Sequence, residues 1–216
     1  MNNNVYCMNP FTIPLVQMHV DEDTSELKSC ELYTKSNLQN EEEGTNNSRG
    51  IETYRILEKF PTIKNILNQY VNKVLGETIG YDANFAITTS WITLTTKNTK
   101  SQKHVHKNSF WSAVYYFDDD YGKKAGRIGF QNPIPQLSSF LPEMKEGEIN
   151  SITANEIYLK PRSKMLILFP SYVYHEIAIH REDNNRRSLA FNIVPTGLYG
   201  TGDSRYDTGW FNYAGM

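Results

Sequence analysis

"NFAITTSWITLTT", residues 84–96, is where the chain changes texture. Polar and apolar positions alternate there, and β-branched and aromatic residues dominate. That pattern predicts a β-strand with one buried face. Downstream, "SFWSAVYYFDDD" (109–120) reads as a second strand ending in an acidic loop, and "GRIGFQNP" (126–133) as a short third. "EIYLKP" (156–161), "KMLILFP" (164–170) and "RRSLAFNIVP" (186–195) follow at short intervals with turns between them.

Upstream the signals differ. "FTIPLVQMHV" (11–20) looks like a strand interrupted by Pro14, hence an edge strand, because proline cannot donate to a ladder. "TSELKSCELYTKS" (24–36) predicts a short helix that Thr24 or Ser25 could cap. "NLQNEEEGTNNSRG" (37–50) is polar and non-periodic, an exposed loop. Residues 51–76 are predicted helical. Ile63, Ile66, Leu67, Tyr70, Val71 and Val74 recur at helical spacing, Pro61 suits a first turn, and Gly76 and Gly80 are stop signals. Such an apolar stripe needs a sheet to lie on. Helices first and then six or more short strands predict an α+β, mainly β architecture: a sandwich or barrel with flanking N-terminal helices on one face. The reading is one domain over 1–216, with an edge strand, loop and supporting helices at 1–83, a β core at 84–196 and an irregular aromatic tail at 197–216.

With 39% hydrophobic and 12% aromatic residues there is enough apolar matter for a core, which excludes global disorder. A net charge of −2 gives no electrostatic case for nucleic acid. Cys7 and Cys30 can form neither a disulfide framework nor a zinc spacing, so two free thiols in a reducing compartment are expected. No segment reaches the ~18 apolar residues of a membrane span, and the N-terminus lacks a basic, apolar leader. The expectation is a soluble, cytoplasmic protein with no membrane partner; oligomeric state has no readable code.

The chemistry concentrates in "HVHKNSFWSAVYYF" (104–117), where two of the five histidines sit two residues apart. On an extended segment positions i and i+2 point the same way, about 6.5–7 Å apart. His104 and His106 can therefore reach one metal ion, at about 2.0–2.1 Å per bond for zinc-like ions. A mononuclear site needs a third ligand, and the best candidate is His175, just after an apolar strand and the turn at Pro170-Ser171. Three protein ligands leave coordination positions open, as oxygen activation requires. Eleven residues beyond His175, "RRSLAFN" places Arg186, Ser188, Ala190 and Asn192 on one strand face and Arg187, Leu189 and Phe191 on the other. An inward arginine with a serine one pleat further in makes a carboxylate socket.

These two blocks, "HVHKNSFWSAVYYF…GRIGFQNP" and "LILFPSYVYHEIAIHREDNNRRSLAFNI", resemble the 2-oxoglutarate/Fe(II)-dependent oxygenase superfamily over roughly residues 84–196. They look most like a poorly characterised phage and marine-bacterial branch with an H-x-H-x-N-S…S-G-V-Y-Y block and an F-P-S…H…R-x-S-x-x-F-N block. The resemblance implies a double-stranded β-helix (a jelly-roll, cupin-like barrel). It implies metal ligands at His104, His106 and His175, with Arg186 and Ser188 clamping the 5-carboxylate of 2-oxoglutarate. His106 falls on the superfamily's acid position, and Ala113 replaces the usual glycine of S-G-V-Y-Y. The implied function is a non-haem Fe(II), 2-oxoglutarate-dependent dioxygenase that uses O2 to hydroxylate a small-molecule or peptidyl substrate, releasing succinate and CO2. The alternative is a cupin-like barrel that binds a metal or small carboxylate without oxygenase activity.

Further residues are assigned by position. One of Tyr115 and Tyr116 must point inward, and Tyr116 is assigned to the co-substrate together with Asn192. Asn108 either orients a carboxylate or ends the strand. His180 reads as a surface residue, Asp118 to Asp120 as a solvated turn, and Glu176 as pointing away from its neighbour His175. Trp91, Ser90 and Arg127 lie where a barrel mouth would be.

Overall fold

The computed structural model describes residues 12–30, 55–133 and 154–208. The expectations for 1–11, 31–54, 134–153 and 209–216, including the whole 37–50 loop, lie outside the described residues. A five-stranded antiparallel sheet runs in the order β1 (Val16–His19), β6 (Met165–Pro170), β3 (Trp111–Tyr116), β8 (Arg186–Thr196), β2 (Asn84–Thr95). A second antiparallel sheet has the order β5 (Glu156–Leu159), β4 (Ile128–Gln131), β7 (His175–Ile177). A small hairpin, β9 (Leu198–Tyr199) and β10 (Tyr206–Asp207), closes the described C-terminal part.

The large sheet is buried on both faces, which is why β3 and β6 read as unbroken apolar runs rather than alternating ones. On one face Leu189, Phe191, Ile193, Trp111, Ala113, Tyr115, Leu166 and Leu168 pack under the helical layer, whose Ile63, Leu67 and Val71 complete that core. On the other, Val114, Tyr116, Ile167, Phe169 and Ala190 meet Ile128, Phe130 and Ile177 of the small sheet. Site residues belong to this second, inter-sheet interior. Pro14 precedes β1, which does lie at a sheet edge.

Helix α1 (Pro61–Lys73) starts at the proline, as its fixed φ favours. The single helix expected over 51–76 is instead three pieces: a 3-10 turn Ile56–Lys59, α1, and a π-helical turn Val74–Thr78. Pro61 lacks the N–H that would continue a helix through it. The expected helix at 24–36 is a 3-10 turn over Ser25–Ser29 in its described part. Thr24 does not cap it; its hydroxyl bonds the Tyr115 hydroxyl at 2.7 Å in the core. Among the described residues no helix is long and apolar enough to cross a membrane.

Strand β2 departs from simple alternation. Ile87 pairs with Ile193 and Ser90 with Phe191, so Thr88 and Thr89 together oppose the single Asn192 in a β-bulge. Before the bulge the odd positions Phe85 and Ile87 face the helices; after it Ile92 does, and Trp91 turns to the inter-sheet interior. Period-2 reading of 84–96 fails at this one inserted residue.

Strand β2 is also an edge whose outward backbone groups need partners. Helix α1 supplies them. Asn72 donates Nδ2–H to Phe85 O (2.9 Å) and accepts Phe85 N–H on Oδ1 (2.8 Å), while Asn68 Oδ1 accepts Ile87 N–H (3.3 Å). Ser90 Oγ accepts Leu57 N–H at 2.9 Å. Asn72→Leu keeps the helix but strands both Phe85 groups. Each lost partner costs on the order of 1 kcal/mol or more. We expect a loss of about 2 kcal/mol, a melting point lowered by roughly 4–8 °C, with an unchanged far-UV spectrum. A melting point within 1 °C of wild type would mean that the edge is held by apolar packing alone.

Candidate active site

The segment before β3 is not a regular strand, yet its backbone is laddered against β7 and its flanks. Asn98 N–H donates to His180 O, His180 N–H to Thr99 O, and Ser101 N–H to Ile177 O (2.7, 2.9 and 3.1 Å). His104 and His175 exchange both backbone hydrogen bonds at 3.0 Å, and His106 N–H donates to Ser171 O at 3.0 Å. This ladder brings the three rings together, with centroids 4.3 Å (104–175), 4.9 Å (106–175) and 5.3 Å (104–106) apart. One ligand atom from each lies within 4.8 Å of the others, so the group could hold a metal ion.

The rings are oriented for it. Nδ1 of His104 meets Gln102 O at 2.7 Å and Nδ1 of His175 meets Val173 O at 3.0 Å. A carbonyl can only accept, so Nδ1 carries the proton and Nε2 is the nitrogen left with a lone pair for a metal. Nδ1 of His106 meets Asn192 Oδ1 at 2.6 Å and Ser112 Oγ at 2.9 Å. His175 is buried, and desolvation, reinforced by the neighbouring His104, pushes its pKa down to about 3, so it is neutral at any ordinary pH. Phe169 and Trp91 form walls, with ring centroids 4.7 Å from His175 and 5.3 Å from His106.

In the same interior lies Arg186, with 0% of its surface exposed. Its Nε donates to Gly126 O (2.9 Å), one terminal nitrogen to Tyr116 Oη (2.7 Å) and the other to Ser188 Oγ (3.3 Å); the guanidinium carbon lies 5.0 Å from the Tyr116 ring centre. Among the described residues no carboxylate pairs with it. Burial pushes the Tyr116 phenol up, so it stays protonated with a hydrogen to give onward. Arg187 faces the other way, paired with Asp118 and donating to Lys28 O at 3.2 Å.

Of the residues singled out from sequence, the structure brings together His104, His106 and His175, and separately Arg186, Ser188 and Tyr116. Asn192, assigned to the co-substrate, is bonded through its amide oxygen to His106, at the histidine end of the strand face that begins with Arg186. Asn108 is not brought to either group: it is exposed in the turn before β3 and lines an outer cleft with Tyr81, Phe85, Phe110 and Pro195. His180 is buried, not on the surface. Its Nδ1 accepts Gly126 N–H (3.2 Å) and its Nε2 donates to Asn184 O (2.6 Å). Asp118 is buried in its ion pair rather than solvated. Glu176 does turn away, accepting the Tyr158 hydroxyl at 2.8 Å. Sequence reasoning missed Ser112, fully buried and bonded to His106, Ser171 (2.7 Å) and Asn192 (3.2 Å). A lone serine inside an aromatic strand was the available signal.

Residues 89–192 match the protein family described as "Putative 2OG-Fe(II) oxygenase". No curated protein matches the sequence significantly. Among solved structures, the chain is similar to SnoN, a non-haem α-ketoglutarate-dependent epimerase from nogalamycin biosynthesis (10% identity, 88% of this chain and 79% of that one, TM-score 0.56). It is also similar to a Trichoplax adhaerens prolyl hydroxylase in complex with a hypoxia-inducible-factor peptide (12% identity, 83% and 82%, TM-score 0.52). A 2OG-Fe(II) oxygenase-family protein from Burkholderia pseudomallei aligns with 60% of this chain (17% identity, TM-score 0.43), and the chain spans 55% of that protein's length. The SnoN and Trichoplax structures establish a shared double-stranded β-helix fold, and the family match falls on the segment that carries the histidine cluster and the buried arginine. The matched segment carries the sequence signature of the 2-oxoglutarate- and iron(II)-dependent oxygenases, whose reaction uses Fe(II), 2-oxoglutarate and O2, and its histidine cluster fits an iron ion.

Proposed function

We propose that His104, His106 and His175 hold the iron, that Arg186, Ser188 and Tyr116 hold 2-oxoglutarate, and that the enzyme hydroxylates a small-molecule or peptidyl substrate. The observation that carries this reading is the buried Arg186 without a carboxylate partner among the described residues, in the same interior as three convergent imidazoles. An uncompensated buried cation is costly and calls for an anion. Its present acceptors are all neutral: a peptide carbonyl, a phenol and a hydroxyl.

The donor set fits both groups. The three imidazoles present Nε2 with the Nδ1 protons tied to fixed acceptors. The guanidinium fork suits a carboxylate, with Ser188 Oγ and Tyr116 Oη as further donors. Between Ser188 and Asn192 on that strand face stands only the small Ala190. When bound, Fe(II) with 2-oxoglutarate supplies the oxidation of a C–H bond by O2, with succinate and CO2 as co-products. The chain's residues bind and orient: Arg186 fixes the far carboxylate, the histidines fix the metal, and Trp91, Phe130 and Phe169 keep water from the interior. SnoN and the Trichoplax hydroxylase act on a small molecule and a peptide respectively, which supports that substrate range without choosing within it. A cytoplasmic setting belongs to the same reading.

Two outcomes test it. Arg186→Leu removes a buried charge-assisted fork worth about 2–5 kcal/mol, so 2-oxoglutarate affinity, measured anaerobically with Fe(II), should fall some 30- to several thousand-fold. Arg187→Leu should leave that affinity intact while lowering stability through Asp118. The reverse result would place the co-substrate on the wrong face of β8.

The second concerns pH. The folded pKa of His175 lies near 3, below its ordinary 6.5. The unfolded chain therefore binds a proton in this window that the folded chain refuses, and stability falls as pH drops from about 6.5 toward 3. The metal-free protein should lose up to about 1.4 kcal/mol per pH unit more than His175→Gln across that range. Parallel urea-denaturation curves for the two proteins at pH 7 and pH 5 would contradict a neutral, buried His175.

A further inference from the structure

The bulge in β2 sits opposite one residue, Asn192, and Asn192 is the residue bonded to His106. Bulges near active sites re-aim side chains. Here the extra residue shifts the strand's parity, and Thr89 Oγ1 comes within 2.9 Å of Asn192 Nδ2. The amide is thus engaged at both ends: nitrogen toward Thr89, oxygen toward His106. The oxygen end matters, because an amide oxygen can only accept. It requires the His106 proton on Nδ1, and so makes Nε2 the coordinating atom. With the amide reversed, an N–H would meet Nδ1 and force the proton onto Nε2, where it blocks coordination. Ser112 Oγ, anchored on Ser171 Oγ, flanks the same ring nitrogen and the same amide oxygen.

We propose that the bulge, Thr89 and Asn192 form a positioning relay that commits His106 to bind metal through Nε2, so that a histidine serves where the superfamily's pattern has an acid. The inference rests on the three-histidine reading above and goes beyond it. The relay makes His106 a built ligand rather than the remnant of a lost one. Its neutral acceptor also matches a neutral ligand: an amide oxygen suits an imidazole N–H.

The test uses the full chain with Co(II) as an oxygen-stable probe. Hydrogen-bond partners of the non-coordinating nitrogen of a metal-bound histidine are worth about 10- to 100-fold in affinity. Asn192→Leu should weaken Co(II) binding by that much, Thr89→Val by less, and Asn192→Asp, which keeps an acceptor on Nδ1, should stay near wild type. In a His106→Ala background Asn192→Leu should cost little, because the relay acts only through that ring. Equal losses in both backgrounds would overturn the relay in favour of a general structural role. The metal-free wild type gives a check that needs no variant to fold: nitrogen-15 spectra should show His106 as the Nδ1–H tautomer, and an Nε2–H tautomer overturns the proposal. If wild type binds no Co(II), the metal centre itself fails. If wild type binds tightly and Asn192→Leu binds as well, only the relay fails.

Discussion

Everything at this site depends on a backbone ladder between two segments that are mostly not regular strand. Residues 98–106 run antiparallel to 171–180, and the reciprocal pair between His104 and His175 is its centre. Directly opposed residues in such a pair project to the same side, so two imidazoles 71 positions apart in sequence (175 − 104) meet with centroids 4.3 Å apart. Two steps along, His106 joins them on that side. Because β7 pairs on its other flank with β4, Phe130 opposite His175, the ladder extends a sheet and the rings inherit its rigidity. A metal site on such a frame needs no loop to order before coordination.

The second constraint is that the interior facing these rings is polar where function would need it and apolar elsewhere. The inner face of β8 carries Arg186, Ser188, Ala190 and Asn192, while its outer face carries Leu189, Phe191 and Ile193 against the helices. Buried polar groups cost stability unless bonded. Among the described residues no buried side-chain nitrogen or oxygen lacks a partner. The polar residues are joined into two networks. One runs from Thr89 through Asn192 and Ser112 to His106. The other runs from His180 through Gly126 to Arg186 and Tyr116. Fully satisfied networks of this kind lock side chains in single rotamers.

What was legible in the sequence follows from which signals are local. H-x-H and Arg-x-Ser are short-range patterns, His175 stood out as a histidine just after an apolar strand and turn, and period-2 alternation assigned Arg186 and Arg187 to opposite faces, where they are found. The β core and an edge strand after Pro14 were readable from composition and proline chemistry. The bulge was not, because "TTS" looks the same with or without an inserted residue, and only the Asn192 partner across the sheet defines it. His180 and Asp118 looked like surface residues because their neighbours are charged; both are buried by tertiary partners, Gly126 and Arg187. The helix over 51–76 was overdrawn because apolar periodicity continues across Pro61 while the backbone cannot. Asn192 was placed on the correct face, but only the structure shows its amide turned to His106 and not to the arginine socket.

The two networks divide the electrostatic work. At the histidine end the rings meet neutral acceptors that fix protons on Nδ1. At the arginine end a full positive charge is buried among neutral acceptors and an aromatic face. The guanidinium is held by the backbone at Gly126, and Gly126 has no room for a side chain: a Cβ there would run into the Ala178 carbonyl. Its N–H is in turn taken by His180, whose other nitrogen ties down the 181–185 turn. The cation is therefore fixed before any anion arrives. Its desolvation is offset only partly by neutral partners, and a dicarboxylate entering the interior would supply the missing charge. The same preorganisation makes the socket selective. A ligand without a carboxylate would leave the guanidinium as uncompensated as it is now, and it would gain nothing from the one feature of this interior that departs most from an ordinary protein core.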